Sequence, residues 1–217
     1  MWKERFGTKI VPLSLDLLQE QSQEQLRRRL FAEDVRIKIL VNAAGMGRIG
    51  RFEEITLPEH QQTTRLNDEA LMTVTYLCLP YMGKGSHVVQ MASASAFVPQ
   101  PGFAVYAASK LCDELFQSAA KRSAKKRYHR DLCVPGTCGH SFSFEGGREN
   151  TTKCRFSRKK SMADPEAVVE KAIYDAACGR AFSIYGWSMK ALFLACRILP
   201  HRLIIHLTGI LYDWRKS

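Results

Sequence analysis

A tyrosine and a lysine four residues apart, Tyr106 and Lys110 in "VYAASK", are residue types suited to proton transfer. On a helix, that spacing puts both side chains on one face. A free phenol has a pKa of about 10, too high for ready proton exchange near neutrality. A lysine cation about 5 Å away, at an effective dielectric of ~20, is worth roughly 3 kcal/mol, or about two pKa units. The expectation is therefore that Lys110 lowers the Tyr106 pKa and that the phenol serves as an acid/base group. The competing reading is a solvent-facing pair, since many helices contain this spacing by chance.

Three further polar positions belong to the same question. Ser93 lies thirteen residues before Tyr106, at the end of the apolar run "HVVQMAS", where its hydroxyl is placed to meet a substrate oxygen beside the phenol. Asn67 sits in "TRLNDEALM", between two apolar runs. The segment "NAAG" at 42–45 ends the preceding run, and Asn and Gly suit a tight turn.

The elements that must hold these residues are legible from periodicity. "TKIVPLSLDL" (8–17) leans toward a strand, with Pro12 marking an irregular edge. Residues 17–34 read as a helix with one apolar stripe. "VRIKILVNAAG" (35–45) becomes continuously apolar, as a buried strand does. Residues 58–82 read as a helix opened by Pro58, 86–93 as a short buried strand, and 103–121 as a helix. "DLCVPG" (131–136) is a weaker strand. "DPEAVVEKAIYDAACG" (164–179) has Asp at the cap, Pro at the first position and Gly past the end of a helix. "AFSIYG" (181–186) is a last strand. Strands alternating with helices predict one α/β domain over 1–217 built on a mainly parallel sheet. In such sheets ligands sit beyond the carboxyl ends of the strands, which is where "NAAG", "SAS" and "PG" fall.

The order NAAG, then Asn67, then Ser93, then Y-x-x-x-K resembles the short-chain dehydrogenase/reductase family. The resemblance runs from about residue 8 to 136 and, more loosely, through 164–199. It implies a Rossmann-like fold and hydride transfer between a nicotinamide cofactor, NADP or NAD, and a small-molecule ketone/alcohol pair. It further implies a catalytic set of Asn67, Ser93, Tyr106 and Lys110. Tyr106 would pass a proton to or from the substrate oxygen, and Ser93 would polarise the carbonyl. Lys110 would hold the nicotinamide ribose, and Asn67 would hold a relay water. Asp16, Asn42, Gly45, Pro135 and Gly136, with Tyr106 and Lys110, are implied on the cofactor side. Thr137 is a stand-in for the family's threonine.

The sequence departs from the family in two places. The glycine-rich turn T-G-x-x-x-G-x-G that cradles pyrophosphate is not found upstream of Asp16; "GMGRIG" (45–50) follows "NAAG" instead. A first strand–helix–strand–helix unit is expected to be missing, with the alternative reading of a cofactor-incompetent remnant acting as a non-catalytic interaction or membrane-surface protein. The second departure is charge. Residues 121–160 hold twelve Lys/Arg against three Asp/Glu, most of the formal net charge of +11. A solvated loop, a polyanion-binding patch and a stretch translated in a slipped reading frame all fit that texture. No specific nucleic acid is expected.

Seven cysteines in 217 residues do not read as a disulfide framework and point to a reducing, cytoplasmic setting. Cys133, Cys138, His140 and Cys154 lack tight metal-ligand spacing, so no metal is expected. No signal-peptide pattern opens the chain, and no apolar run is long enough to span a bilayer. The apolar tail 187–214, broken at Pro200, fits a core or subunit-interface helix in a homo-oligomer, or a peripheral membrane contact. The tail also carries a weak resemblance to reductases acting on lipid-like substrates.

Overall fold

The computed structural model describes residues 7–98, 101–123, 128–134, 163–200 and 202–206; for 117–123 and 128–134 it describes the backbone alone. Four parallel strands lie side by side in the order β1 (Ile37–Asn42), β2 (Met82–Met91), β3 (Tyr128–Val134) and β4 (Phe182–Ile184). Each step between neighbours runs through helix: α1 (Glu20–Ala32) precedes β1, α2 (Leu57–Thr64) and α3 (Leu71–Cys78) join β1 to β2, α4 (Ala104–Ser123) joins β2 to β3, and α5 (Pro165–Ala177) joins β3 to β4. α6 (Trp187–Ile198) follows. This is the α/β, mainly parallel sheet with flanking helices that the alternation of periods predicts, and it agrees with the Rossmann-like fold that the family resemblance implies.

β2 is paired on both sides, and Val88, Val89 and Gln90 are almost fully buried. That burial explains why its run is apolar without alternation. Its first residues, "MGKGS", form a shifted start: Ile37 pairs with Met82 but Ile39 with His87. The Ser86 hydroxyl fills the irregularity, donating to Ile37 O at 2.8 Å and accepting from Gly83 N at 3.1 Å.

The strand expected at 8–17 does not form. Residues 7–16 carry no regular structure, and β1 is the outermost strand among the described residues. A lone extended segment gains nothing from β-geometry unless a neighbour takes its N–H and C=O groups, and Pro12 has no N–H to offer. Instead Leu13, Leu15 and Leu17 line a cavity of about 300 Å³ against Leu40 and Val41 of β1. On β1 itself, Ile39 and Val41 are about half exposed.

α5 forms as its caps dictate. Asp164 accepts from Glu166 N, Pro165 opens the helix, and Gly179 adopts φ 69°, a left-handed conformation open to glycine at no steric cost. Val168, Ala172 and Ala176, spaced by four, bury one face of α5 against Val89. Asp175, at the last turn, accepts from Lys171, from Arg180 Nη1 at 2.8 Å and from Ser183 Oγ at 2.7 Å, tying α5 to β4. Beyond β4, Phe193 of α6 packs edge-on to Phe97 at 5.1 Å, while Trp187, Leu194 and Ile198 face outward. No helix of the described residues is long and apolar enough to cross a membrane. Residues 207–214 and most of the basic 121–160 stretch lie outside the described residues, as do Pro135, Gly136 and Thr137, and the side chains of Cys133, Cys138, His140 and Cys154.

Candidate active site

The site is assembled at the carboxyl ends of β1 and β2 by the segments that follow them and by α4 packed alongside. α2 begins with a capping box, Glu59 accepting from Thr56 N at 3.0 Å and from Thr56 Oγ1 at 2.7 Å. Between α2 and α3 the chain relaxes into a π-helical turn, Arg65–Ala70, a feature that periodicity did not reveal. Asn67 lies in this turn with no exposed surface. Its side chain accepts from Met46 N at 2.9 Å and donates to Met46 O and to Ser109 Oγ, each at 2.9 Å. Asn67 therefore clamps the loop after β1 to α4.

Ser93 ends the run after β2 and starts a short turn, accepting from Ser95 N at 3.3 Å. Its hydroxyl is hydrogen-bonded to the Tyr106 phenol, which is 6% exposed. The expected convergence of Ser93 and Tyr106 is present. Burial pushes the phenol above its ordinary pKa; the Ser93 bond opposes the shift, and the Asp113 charge adds to it.

Lys110 does not do what its spacing suggests. Its ammonium donates to Asp113 Oδ2 at 2.9 Å and to Met91 O at 3.2 Å, inside the protein. The expected lowering of the Tyr106 pKa by Lys110 gives way to a rise caused first by burial, and the cation itself is paired with a buried carboxylate one turn further along α4. Asp113 is 1% exposed, and burial raises its pKa against the pull of Lys110.

Asp68, next to Asn67, completes this polar cluster. Its Oδ1 is buried without a hydrogen-bond partner, and a Cys112 side-chain hydrogen bond meets the carboxylate. Burial first, then the Asp113 charge, raise its pKa to about 6, with Lys110 opposing. Asp113, Asp68 and Cys112 had no signal of their own in the sequence; their nearness follows from α4 packing on the π turn. Because the folded pKa of Asp68 exceeds its ordinary 3.8, the folded state binds a proton that the unfolded chain leaves off between those values. Stability is therefore expected to rise as pH falls from 7 to 5. Asp68→Asn should reduce that rise and raise the pH 7 melting midpoint; midpoints at both pH values in both proteins check this.

The remaining sequence candidates are placed as follows. Asn42 is buried and donates to Thr75 Oγ1 at 2.8 Å, which anchors the end of β1 to α3. Gly45 lies half-buried in the loop that Asn67 clamps at Met46. Asp16 is exposed, and its carboxylate accepts from Leu18 N at 3.0 Å and Gln19 Nε2 at 3.5 Å in the turn before α1. Beside Tyr106 a small crevice is lined by Arg48, Phe52, Ile55, His60, Thr63 and Val105. His60 stacks on Phe52 at 4.6 Å, and its Nε2 lies 3.0 Å from Phe52 O.

These observations are matched by the comparisons. The profile of the short chain dehydrogenase family matches residues 2–141. The chain belongs to the short-chain dehydrogenase/reductase family. It is 30% identical over 113 residues to hydroxynaphthalene reductase arp2 of Aspergillus fumigatus, covering 52% of this chain and 41% of that protein. It is 26% identical over 161 residues to the uncharacterized oxidoreductase YghA of Escherichia coli, covering 73% and 55%. The chain thus spans roughly half the length of these curated relatives. The fold is shared with a short-chain dehydrogenase from Sphingobium yanoikuyae in complex with NADPH, at a TM-score of 0.74, 19% identity and coverage of 99% of this chain and 80% of that one. A short-chain dehydrogenase from Streptomyces avermitilis superposes with a TM-score of 0.72 at 18% identity, covering 99% and 83%.

Some of the residues present fit the reacting end of a nicotinamide cofactor's site. Tyr106 and Ser93, with Asn42 at the end of β1 and Gly45 in the clamped loop, suit the end where a carbonyl is reduced. The diphosphate end needs backbone N–H groups or cations. The cavity beside the end of β1 is instead lined by leucines, with no charged side chain among its lining residues.

Proposed function

We propose that the chain acts in NAD(P)-dependent reduction of a small-molecule ketone to an alcohol, with Tyr106 as proton donor. The observation that carries this reading is the buried Tyr106 phenol hydrogen-bonded to the Ser93 hydroxyl. A phenol protonated at neutral pH has a proton to give to a carbonyl oxygen; burial, which raises its pKa, works against that transfer, and the Ser93 bond favours it. Ser93, already in contact with that phenol, orients the same oxygen. Phe52, Ile55 and Val105 line a water-sized crevice of about 10 Å³ beside Tyr106. A nicotinamide cofactor, when bound, supplies the hydride. The hydroxynaphthalene reductase among the relatives supports a carbonyl-type substrate.

The leucine-lined cavity favours a second reading, a non-catalytic member that retains the proton-transfer residues but binds no dinucleotide. Titration with NADPH and NADH, followed by protein fluorescence or calorimetry, separates the two. Saturable binding is the expected result of the first. The absence of any binding at millimolar cofactor would overturn it in favour of the second.

A further inference from the structure

One face of α6 has no role in the candidate site. The helix is apolar on two sides. Its inner side, Met189 and Phe193, packs against the core of Ala92 and Ile184. Its outer side carries Trp187, Leu194 and Ile198, which are 86%, 59% and 71% exposed. With the exposed Ala191 between them, these positions are spaced by four, three and four residues, and so lie on a single stripe. Lone apolar side chains on a surface are ordinary; three large ones in line along one helix mark a contact face.

Charge says what that face meets. Lys190 and Arg197, two turns apart, flank the stripe on one side. The Lys190 ammonium lies 5.4 Å from the Trp187 ring centroid, and the Arg197 guanidinium 4.6 Å from that of Phe193. From residue 176 to residue 212 the sequence holds no Asp or Glu, against Arg180, Lys190, Arg197 and Arg202. Arg197 also faces a carboxylate of α4, Glu114, while Lys190 and Arg202 are exposed.

We propose that α6 lies on the surface of an anionic lipid bilayer, with Trp187, Leu194 and Ile198 toward the acyl chains and Lys190 and Arg197 at the headgroups. Exposed apolar side chains gain by leaving water, and cations gain by approaching anionic headgroups. Indole rings settle at the boundary between the two layers. Twelve residues make a helix about 18 Å long, which cannot cross a hydrocarbon layer of ~30 Å and so lies along it. A second protein chain fits the face less well. Stable protein contacts recruit roughly 20–30 residues a side, and their centres are poor in charge. Here three large side chains are bordered by cations. Because Phe193 meets Phe97, four residues after Ser93, a docked α6 sets the Ser93 turn close to the membrane.

The full chain is mixed with vesicles of phosphatidylcholine alone, or of phosphatidylcholine with about one third phosphatidylserine, and bound protein is separated by sedimentation. The basic 121–160 stretch would also draw the chain to anionic lipid, so the α6 variants decide. Leu194→Ser combined with Ile198→Ser is expected to weaken binding to the anionic vesicles about tenfold or more, and Lys190→Gln about fivefold. All three positions are exposed, so the melting midpoints should hold within a few degrees. Lipids brominated in their acyl chains should quench a tryptophan signal that Trp187→Phe removes. Binding that the double variant leaves unchanged belongs to the basic stretch and overturns the proposal. So does an absence of acyl-chain quenching at Trp187. A wild-type dimer that Leu194→Ser dissociates, with vesicles left unbound, overturns it in favour of a second copy. Should the double variant fail to fold, quenching in the wild-type protein still decides. The NADPH titration bears on none of these readouts, so failure of the reductase reading appears separately.

Discussion

Replacing Tyr106 by phenylalanine is expected to lower the rate of ketone reduction on the order of 10²–10⁴-fold, the usual contribution of a positioned proton donor. The change removes one oxygen. The ring remains among its neighbours, with Phe103 at 6.0 Å between centroids. The lost Ser93 bond costs about 1 kcal/mol, so the melting midpoint should drop by only a few degrees. kcat and kcat/KM should fall together, because the proton is given in the transition state. A variant that keeps its rate would show that another group donates. The pH profile offers a second check. The acid form is the active one in reduction, so the rate contributed by Tyr106 is held through neutral pH and lost as pH rises through its elevated pKa.

Asn67→Ala is expected to cost about 3 kcal/mol of stability, larger than for a typical surface change. The side chain makes three hydrogen bonds of 2.9 Å with no solvent to replace them. Its removal strands Met46 N–H and C=O and leaves Ser109 Oγ with Tyr106 O as its acceptor but without the amide donor. Each buried polar group left unmet costs about 1–3 kcal/mol. The loop carrying Gly45 then loses its tie to α4, and the site loses a wall. Urea unfolding of the two proteins measures the difference; a loss below about 1 kcal/mol would mean that the clamp does not hold the loop.

Much of the fold was legible because local chemistry and tertiary demand agreed. The Asp164, Pro165 and Gly179 signals bound α5 where its caps and its buried Val168–Ala172–Ala176 face require. The apolar run at 86–93 marked the central strand, because a strand paired and covered on both sides must be apolar throughout. The stretch at 8–17 had the composition of a strand and is not one. Strand propensity describes a side chain's fit to a pleated, half-buried surface, and residues 7–16 pair with no strand among the described residues.

The candidate site divides along the same line. Residue type and order alone determined the family, the candidate proton donor Tyr106, and its pairing with Ser93 at the end of the strand before it, since those depend on positions along one strand and one helix. Tertiary structure decided the rest. A lysine on a helix reaches partners three and four residues away equally well. Which one it meets depends on which of them is buried, and burial is set by the packing of α4 on the π turn and β2. Here that packing set the ammonium against Asp113 and buried the phenol, and burial raises the Tyr106 pKa where the spacing alone predicted a lowering.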